Sequence, residues 1–170
     1  LTDVIEQEGV PLLYLGDLFE RSEIRDLLSL IAIDAEVGGL GLVRVATLPD
    51  YCVLRTETLA LIRWAQSQKL SIFAALKRVS EIAEISESGR SGLLKLAAEL
   101  EGLQKASPLV LLFAWLSERS AYLRPLLDAG DAKSQQKLIA IYHLLKVSGE
   151  FAADGETSRK RFLDRIRRIE

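Results

Sequence analysis

The chain of 170 residues contains no methionine, one cysteine and one histidine, and aromatic residues make up only 6% of it. The single cysteine, Cys52, cannot form an internal disulfide, so the fold does not depend on oxidation and fits a reducing cytosol. We expect Cys52 to act as a small, half-buried apolar residue. Apolar runs fall far short of the ~20 residues that a membrane-spanning helix needs, and no signal segment opens the chain. These absences predict a cytoplasmic protein that does not contact a membrane.

The residues that usually carry chemistry are also scarce. His143 lies in a helical stretch with no cysteine or carboxylate at metal-ligand spacing, which favours a structural or surface histidine. The chain has no glycine-rich loop ending in Gly-Lys-Ser or Gly-Lys-Thr, and no Asp-Glu pair follows an apolar strand. We therefore predict no catalytic, cofactor-binding or metal-binding residue, and no ATPase or helicase activity in this chain by itself.

The composition is that of a folded domain. Hydrophobic residues make up 49% of the chain and charged residues 27%, which suits one domain with a sizeable core. The net charge is -2 and the isoelectric point is near 5.6. High-affinity binding to nucleic acid needs clustered Lys and Arg, so we expect any DNA contact to be local and weak.

Apolar residues recur at helical spacing along most of the chain, and residues 10–15 form one short apolar run between glycines that is typical of a buried strand. The pattern predicts an all-α fold, an irregular helical bundle with one short N-terminal β-strand. We expect breaks at residues 37–41, 86–92, 129–131 and 153–157. The residues predicted to face the core are Ile24, Leu27, Leu28, Ile31, Leu61, Ile62, Ala65, Leu93, Leu96, Ala97, Leu100, Leu103, Leu109, Leu112, Phe113, Leu116, Leu138, Ile141, Tyr142, Leu145, Phe162, Ile166 and Ile169.

Three helix starts are indicated by capping residues. Ser22 is followed by an acidic residue in the first turn, Thr56 precedes an amphipathic stretch, and Ser107 is followed by Pro108. Serine and threonine side chains accept hydrogen bonds from the first free amides of a helix, and proline suits its first position.

Residues 10–28, VPLLYLGDLFERSEIRDLL, carry the most specific pattern of the chain. This order resembles the stretch after the fourth conserved motif of the UvrD/Rep/PcrA group of superfamily 1 DNA helicases. There, a strand and a Phe-x-x-Arg-x-Glu-Ile-Lys-Asp helix lead from the second motor domain into the inserted 2B subdomain. Phe19, Arg21, Glu23, Ile24 and Asp26 match in type and spacing. Arginine stands at position 25, where the family usually has lysine. Residues 42–49, 55–66, 134–144 and 162–166 resemble later helices of the insertion more weakly.

The resemblance implies a domain organisation and a parent activity. Residues 1–18 would be the end of the second motor domain and its hinge, and residues 19–170 a 2B-like helical subdomain. We expect a chain that opens on Leu1 and has no methionine to be an excised internal domain. The parent would be an ATP-dependent DNA helicase of DNA repair, using ATP and magnesium held outside this chain. The implied partners are DNA, the remaining motor domains and a possible partner protein.

The first candidate DNA contact lies at residues 49–56. In the family this position carries an Arg-Gly-Ile-Gly turn at a helix N-terminus, where glycines let backbone amides approach a phosphate. Here the residues are Tyr51, Cys52, Val53 and Leu54, whose side chains obstruct that approach. Arg55 and Thr56 are the residues that could still reach a phosphate, with plain helix capping as the alternative.

The second candidate contact is a basic run near the end of the chain. Arg159, Lys160 and Arg161 are its first members, and Arg165, Arg167 and Arg168 follow. The run is interpreted as a phosphate-contacting strip, with a solvated helix face or packing against a motor domain as alternatives.

Two other functions stay open at this point. The same helical domain could belong to an exonuclease V-like helicase-nuclease subunit, where it would bind a partner subunit instead of DNA. It could also be an unrelated helical scaffold whose opening motif is a coincidence.

Overall fold

The computed structural model describes residues 17–35, 38–151 and 156–169, and all regular secondary structure within these ranges is helical. The all-α prediction is therefore confirmed. The strand predicted at residues 10–15 lies outside the described residues. The helices are α1 (Ser22–Ala35), α2 (Leu40–Ala46), α3 (Arg55–Ser67), α4 (Ile72–Lys77), α5 (Glu87–Glu99), α6 (Pro108–Ala114), α7 (Arg124–Ala129), α8 (Ala132–Ser148) and α9 (Glu156–Arg167). A 3-10 turn (Val79–Glu81) follows α4, and a π-helical turn (Trp115–Arg119) extends α6.

Helix α1 is the centre of the bundle. It packs against α2, α4, α6, α8 and α9. Ile24, Leu27 and Ile31 are completely buried, as the sequence predicts, and Leu30 and Ile33 on the remaining faces are 2% exposed. Burying a leucine or isoleucine side chain fully contributes about 1.5–3 kcal/mol, so this one helix supplies much of the driving force for folding.

Helix α5 contains two glycines whose presence in the sequence predicts a helix break. The break expected at residues 86–92 is wrong, because Ser86 caps α5 and both Gly89 and Gly92 lie inside the helix. A Cβ at position 92 would lie 2.3 Å from the backbone oxygen of Tyr51, and one at position 89 would lie 2.6 Å from Oε2 of Glu57. These glycines therefore permit close packing. All five residues of the apolar stripe predicted for this segment are buried, but α5 ends at Glu99, so Leu100 and Leu103 lie after the helix.

Two other stripes are displaced by about one residue around their helices. Phe113 on α6 is 56% exposed and Tyr142 on α8 is 62% exposed, so both were wrongly assigned to the core. The π-helical turn after α6 places Trp115 in the core, where it is 1% exposed. Both helices carry apolar residues on more than one face, so the spacing alone did not determine which face is buried.

Most other helix ends agree with the sequence. Ser107 accepts a hydrogen bond from the amide of Val110, and Pro108 is the first residue of α6. The break at residues 129–131 is confirmed, with Gly130 in the left-handed region (φ 62°) and Asp131 capping α8. In the break at 37–41, the described Gly38 and Gly39 precede α2. The break at 153–157 falls partly outside the described residues, and Glu156 begins α9. Ser22 is not the N-cap of α1, because it is already the first residue of the helix, and its hydroxyl accepts a hydrogen bond from the Arg44 side chain.

Gly41 allows α2 to lie directly on α1. A Cβ at this position would be 2.2 Å from the backbone oxygen of Ser29 and 3.1 Å from the Cβ of Ala32. Backbone cannot move aside as a flexible side chain can, so only glycine fits at this crossing.

We predict that Gly41→Ala destabilises the domain by about 1–3 kcal/mol, since overpacking outweighs the ~1 kcal/mol that alanine gains in helix propensity. Each kcal/mol should lower the Tm by about 2–4 °C for a chain of this size. Thermal unfolding followed by circular dichroism measures the change. Gly149→Ala is the control, because its Cβ would come no closer than 3.2 Å to a neighbour. Equal Tm shifts for the two variants would contradict the close crossing of α1 and α2.

Candidate nucleic-acid interface

The turn that connects α2 to α3 presents the first pair of candidate residues. Arg55 and Thr56 are exposed at the start of α3. Thr56 does not cap the helix as predicted, because α3 already begins at Arg55 and Leu54 is the capping residue. Leu54 is itself 64% exposed in front of the helix end. The turn therefore offers one cation and one hydroxyl beside an apolar side chain.

Cys52 adopts a backbone conformation that glycine favours. Its φ is 53°, in the left-handed region, which few non-glycine residues adopt. The turn buries its neighbours Tyr51 and Val53 and leaves Cys52 exposed, so the expectation of a half-buried cysteine is wrong. The thiol donates a hydrogen bond to the carbonyl of Pro49 at 2.9 Å.

The side chain that accepts a hydrogen bond at the start of α3 is Glu57, not Thr56 as predicted. Its carboxylate accepts hydrogen bonds from the amides of Leu54 at 3.0 Å and Ser86 at 2.8 Å. Burial alone would raise the pKa of Glu57, but the hydrogen bonds from Ser86 and Leu54 outweigh burial and lower it. The buried negative charge compensates the positive end of the α3 dipole. This arrangement weakens the attraction of α3 for a phosphate.

A buried polar cluster holds the turn against the body of the domain. The Tyr51 hydroxyl donates a hydrogen bond to the carboxylate of Glu99, and the Trp115 indole donates to the Tyr51 oxygen at 3.2 Å. Lys95 lies 5.7 Å from the centroid of the Tyr51 ring and donates to the carbonyl of Asp50 at 3.3 Å. Burial raises the pKa of both Tyr51 and Glu99. The cluster therefore fixes the turn from which Arg55 projects.

Helix α9 carries the second group of candidate residues. Lys160 and Arg161 are exposed, but Arg159 is only 2% exposed and lines a small internal cavity together with Asp34. Further along, Arg165 lies 3.5 Å from a carboxylate oxygen of Glu150. The five candidate residues therefore do not form one continuous surface. Their helices also have different principal neighbours, since α3 packs on α2 and α4, whereas α9 packs on α1 and α6.

A groove that the sequence did not predict runs between α1, α2 and α9. Its volume is about 310 Å³. Arg25, Arg44 and Arg167 line it, together with the hydroxyl-bearing Ser29. Its remaining lining residues are Leu28, Ala32, Leu40, Gly41, Leu163 and Ile166. We call this feature the arginine groove.

Arg44 is held rigidly at the edge of the arginine groove. Its Nε donates to Oδ1 of Asp26 at 2.6 Å, and its Nη2 lies 3.1 Å from both the backbone and the side-chain oxygen of Ser22. The Tyr122 hydroxyl donates to the other oxygen of Asp26 at 2.8 Å. Burial and the Asp26 charge together raise the pKa of Tyr122. The guanidinium is therefore fixed before any ligand arrives.

A signal for part of the groove is present in the sequence. Arg25, Leu28, Ser29 and Ala32 follow an i, i+3, i+4, i+7 pattern, which places them on one face of α1. Arg44 and Arg167 belong to other segments, and only the packing of α2 and α9 on α1 brings them to this face. The spacing of apolar residues in the sequence therefore could not predict that Arg25, Arg44 and Arg167 lie around one groove.

Comparison of the chain with protein-family models, curated proteins and solved structures finds no significant match. Within the described ranges, no cluster of three or more His, Cys, Asp or Glu side chains is arranged to hold a metal ion. No helix in that part of the chain has the length and apolar character needed to cross a membrane. The function is therefore argued from the exposed basic residues, the turn and the groove.

We predict that Glu99→Gln flattens the pH dependence of stability. A carboxyl whose pKa folding raises above its ordinary value of 4.5 binds its proton more tightly in the folded state. Its contribution to the free energy of unfolding is fully present below pH 4.5 and is lost as the pH rises through the higher pKa of the folded state. Glutamine keeps an acceptor for Tyr51 without the charge, so the variant should be at least as stable as the wild type at pH 7.

Urea unfolding between about pH 4 and pH 8 measures this effect. Glu84→Gln, at an exposed position, is the control and should leave the profile unchanged. A loss of more than about 1 kcal/mol at pH 7 in Glu99→Gln would show that the cluster prefers the ionised carboxylate.

Proposed function

We propose that this chain is a 2B-like accessory domain of a UvrD/Rep-type DNA helicase, which contacts duplex DNA through the turn before α3. One observation carries the proposal. Cys52 stands where the resemblance places the first glycine of the Arg-Gly-Ile-Gly turn, and its backbone has the left-handed conformation that glycine favours. The turn thus has the left-handed backbone conformation that glycine usually adopts, although the residue at this position is Cys52.

The positions of the helices support the same proposal. The resemblance implies helices within residues 42–49, 55–66, 134–144 and 162–166. Helices α3, α8 and α9 cover the last three segments, and α2 covers the first segment as far as Ala46. Regularly spaced helices occur in many unrelated folds, so this agreement supports the proposal less strongly than the turn does.

The parent protein would supply the chemistry. In this proposal ATP and magnesium bind to motor domains outside the chain, in a cytoplasmic helicase of DNA repair, and the domain described here adjusts unwinding through its contact with the duplex. The contact is weak, because Glu57 compensates the end of α3 and Leu54 stands in front of it. Arg55 supplies the main attraction, and Lys160 and Arg161 on α9 form a separate basic surface.

We predict that the chain binds duplex DNA non-specifically, with a Kd on the order of 10–100 µM at physiological salt. Arg55→Ala should weaken binding several-fold and reduce the slope of log K against log salt by about one, because one phosphate contact is lost. Fluorescence anisotropy with a labelled duplex measures both quantities.

Arg63→Ala is the matched control for this experiment. Arg63 is exposed on the same helix, eight residues and therefore about 12 Å further along. Its replacement should leave the affinity nearly unchanged. Equal losses in the two variants would argue for diffuse charge attraction, and sub-micromolar binding by the wild type would contradict a weak contact.

A further inference from the structure

We propose that the arginine groove is a docking site for an acidic amphipathic segment of a partner protein. Apolar side chains of that segment would occupy the floor, and its carboxylates would pair with the arginines at the rim. This inference is independent of the DNA contact proposed above, since the groove includes none of the residues of the α2–α3 turn.

The floor of the groove is aliphatic. Ala32, Leu163 and Ile166 are buried at its base, and Leu40 is 66% exposed at its edge. A ligand with apolar side chains would bury the most apolar surface here, because an exposed leucine stands beside a concave apolar surface. Proteins that bind single-stranded nucleic acid combine a basic groove with aromatic side chains that stack on the bases, and the described residues that line this groove include no aromatic side chain. The floor therefore favours a peptide over nucleic acid.

The charge at the rim defines the chemistry of the partner. Among the described residues that line the groove, the three charged ones are arginines and none is a carboxylate. Arg44 and Arg167 already have carboxylate neighbours, Asp26 at 2.6 Å and Asp164 at 3.7 Å, which are not lining residues of the groove. Arg25 is exposed and has no ion-pair partner within the described ranges. Guanidinium groups bind carboxylates in a bidentate manner, so the complementary partner carries Asp or Glu.

Part of the groove is fixed before a ligand binds. Its walls are helices that cross closely at Gly41, and Arg44 is held by Asp26 and Ser22. The fixed part of the groove needs no ordering on binding, whereas the exposed side chains of Arg25 and Arg167 must be ordered by the ligand. Its volume of about 310 Å³ lies at the lower end of the range for ligand pockets and suits a few aliphatic side chains. An amphipathic helix that inserts apolar residues at i, i+3, i+4 and i+7 is the usual occupant of such a groove.

The test uses the full chain and a labelled synthetic peptide of about 15 residues, which is about four helical turns. The peptide carries leucine at i, i+3, i+4 and i+7 with glutamate at the flanking positions. We expect saturable binding in the micromolar range by fluorescence anisotropy, and a shift of the Gly41 amide resonance in the NMR spectrum. A peptide with lysine in place of glutamate should bind at least tenfold more weakly, as should one with serine in place of leucine.

Two variants and one control locate the peptide. Arg25→Glu should weaken binding at least tenfold and Leu40→Ser several-fold, and both side chains are exposed, so folding should be unaffected. Arg63→Glu reverses the charge of an exposed arginine outside the groove and should have little effect.

Three results would overturn the proposal. The first is the absence of saturable binding by the glutamate peptide, and the second is an equal loss in Arg63→Glu and Arg25→Glu. The third is that duplex or single-stranded DNA displaces the peptide and that Arg25→Glu lowers the affinity for DNA more than the affinity for the peptide. That result would make the groove a nucleic-acid site.

Discussion

The burial of the apolar residues of α1 is the constraint on which the helix packing and the arginine groove depend. Because Ile24, Leu27 and Ile31 are completely buried, every neighbouring helix must pack against this one axis. The crossing with α2 is as close as backbones permit, with Gly41 directly over the Ser29 carbonyl. The same crossing brings Arg44 to Asp26 and so sets one wall of the arginine groove. Core packing and the candidate binding surface are thus determined by the same helix.

The α2–α3 turn depends on a different kind of interaction. Its position is fixed by the Tyr51 hydroxyl, which reaches Glu99 and Trp115 in the interior. Burying a carboxylate costs free energy unless its hydrogen bonds are satisfied, and the raised pKa of Glu99 shows that burial outweighs the hydrogen bond that Tyr51 donates. The burial of Glu99 costs free energy, but the hydrogen bond between Tyr51 and Glu99 holds the irregular α2–α3 turn in place. Apolar packing alone is less directional and would fix the turn less well.

The sequence predicted those features that depend on local spacing and missed those that depend on packing between helices. The apolar stripe of α5 and the start of α6 at Ser107 follow from periodicity and capping, and both are confirmed. The exposure of Phe113 could not be predicted, because α6 has two apolar faces and only its neighbours decide between them. Gly92 was interpreted as a break, although its small size is needed for contact with the Tyr51 carbonyl. Arg159 was assigned to a basic surface, but it lies in the interior.

The distribution of charge explains how an acidic chain can present basic surfaces. The net charge of -2 is an average over the chain, whereas a ligand responds to charges within about one Debye length, roughly 8–10 Å. At the start of α3, the carboxylate of Glu57 accepts a hydrogen bond from the amide of Leu54, the residue before the exposed arginine, and offsets part of the attraction of this helix end for an anion. In the arginine groove, Asp26 lies 2.6 Å from Arg44 and offsets much of its charge, so the exposed Arg25, which has no ion-pair partner within the described ranges, supplies most of the attraction for an anion. Glu57 and Asp26 therefore both lower the local positive charge, but Asp26 also holds the Arg44 side chain in one position, so the groove gains a fixed shape where the start of α3 gains only a satisfied amide.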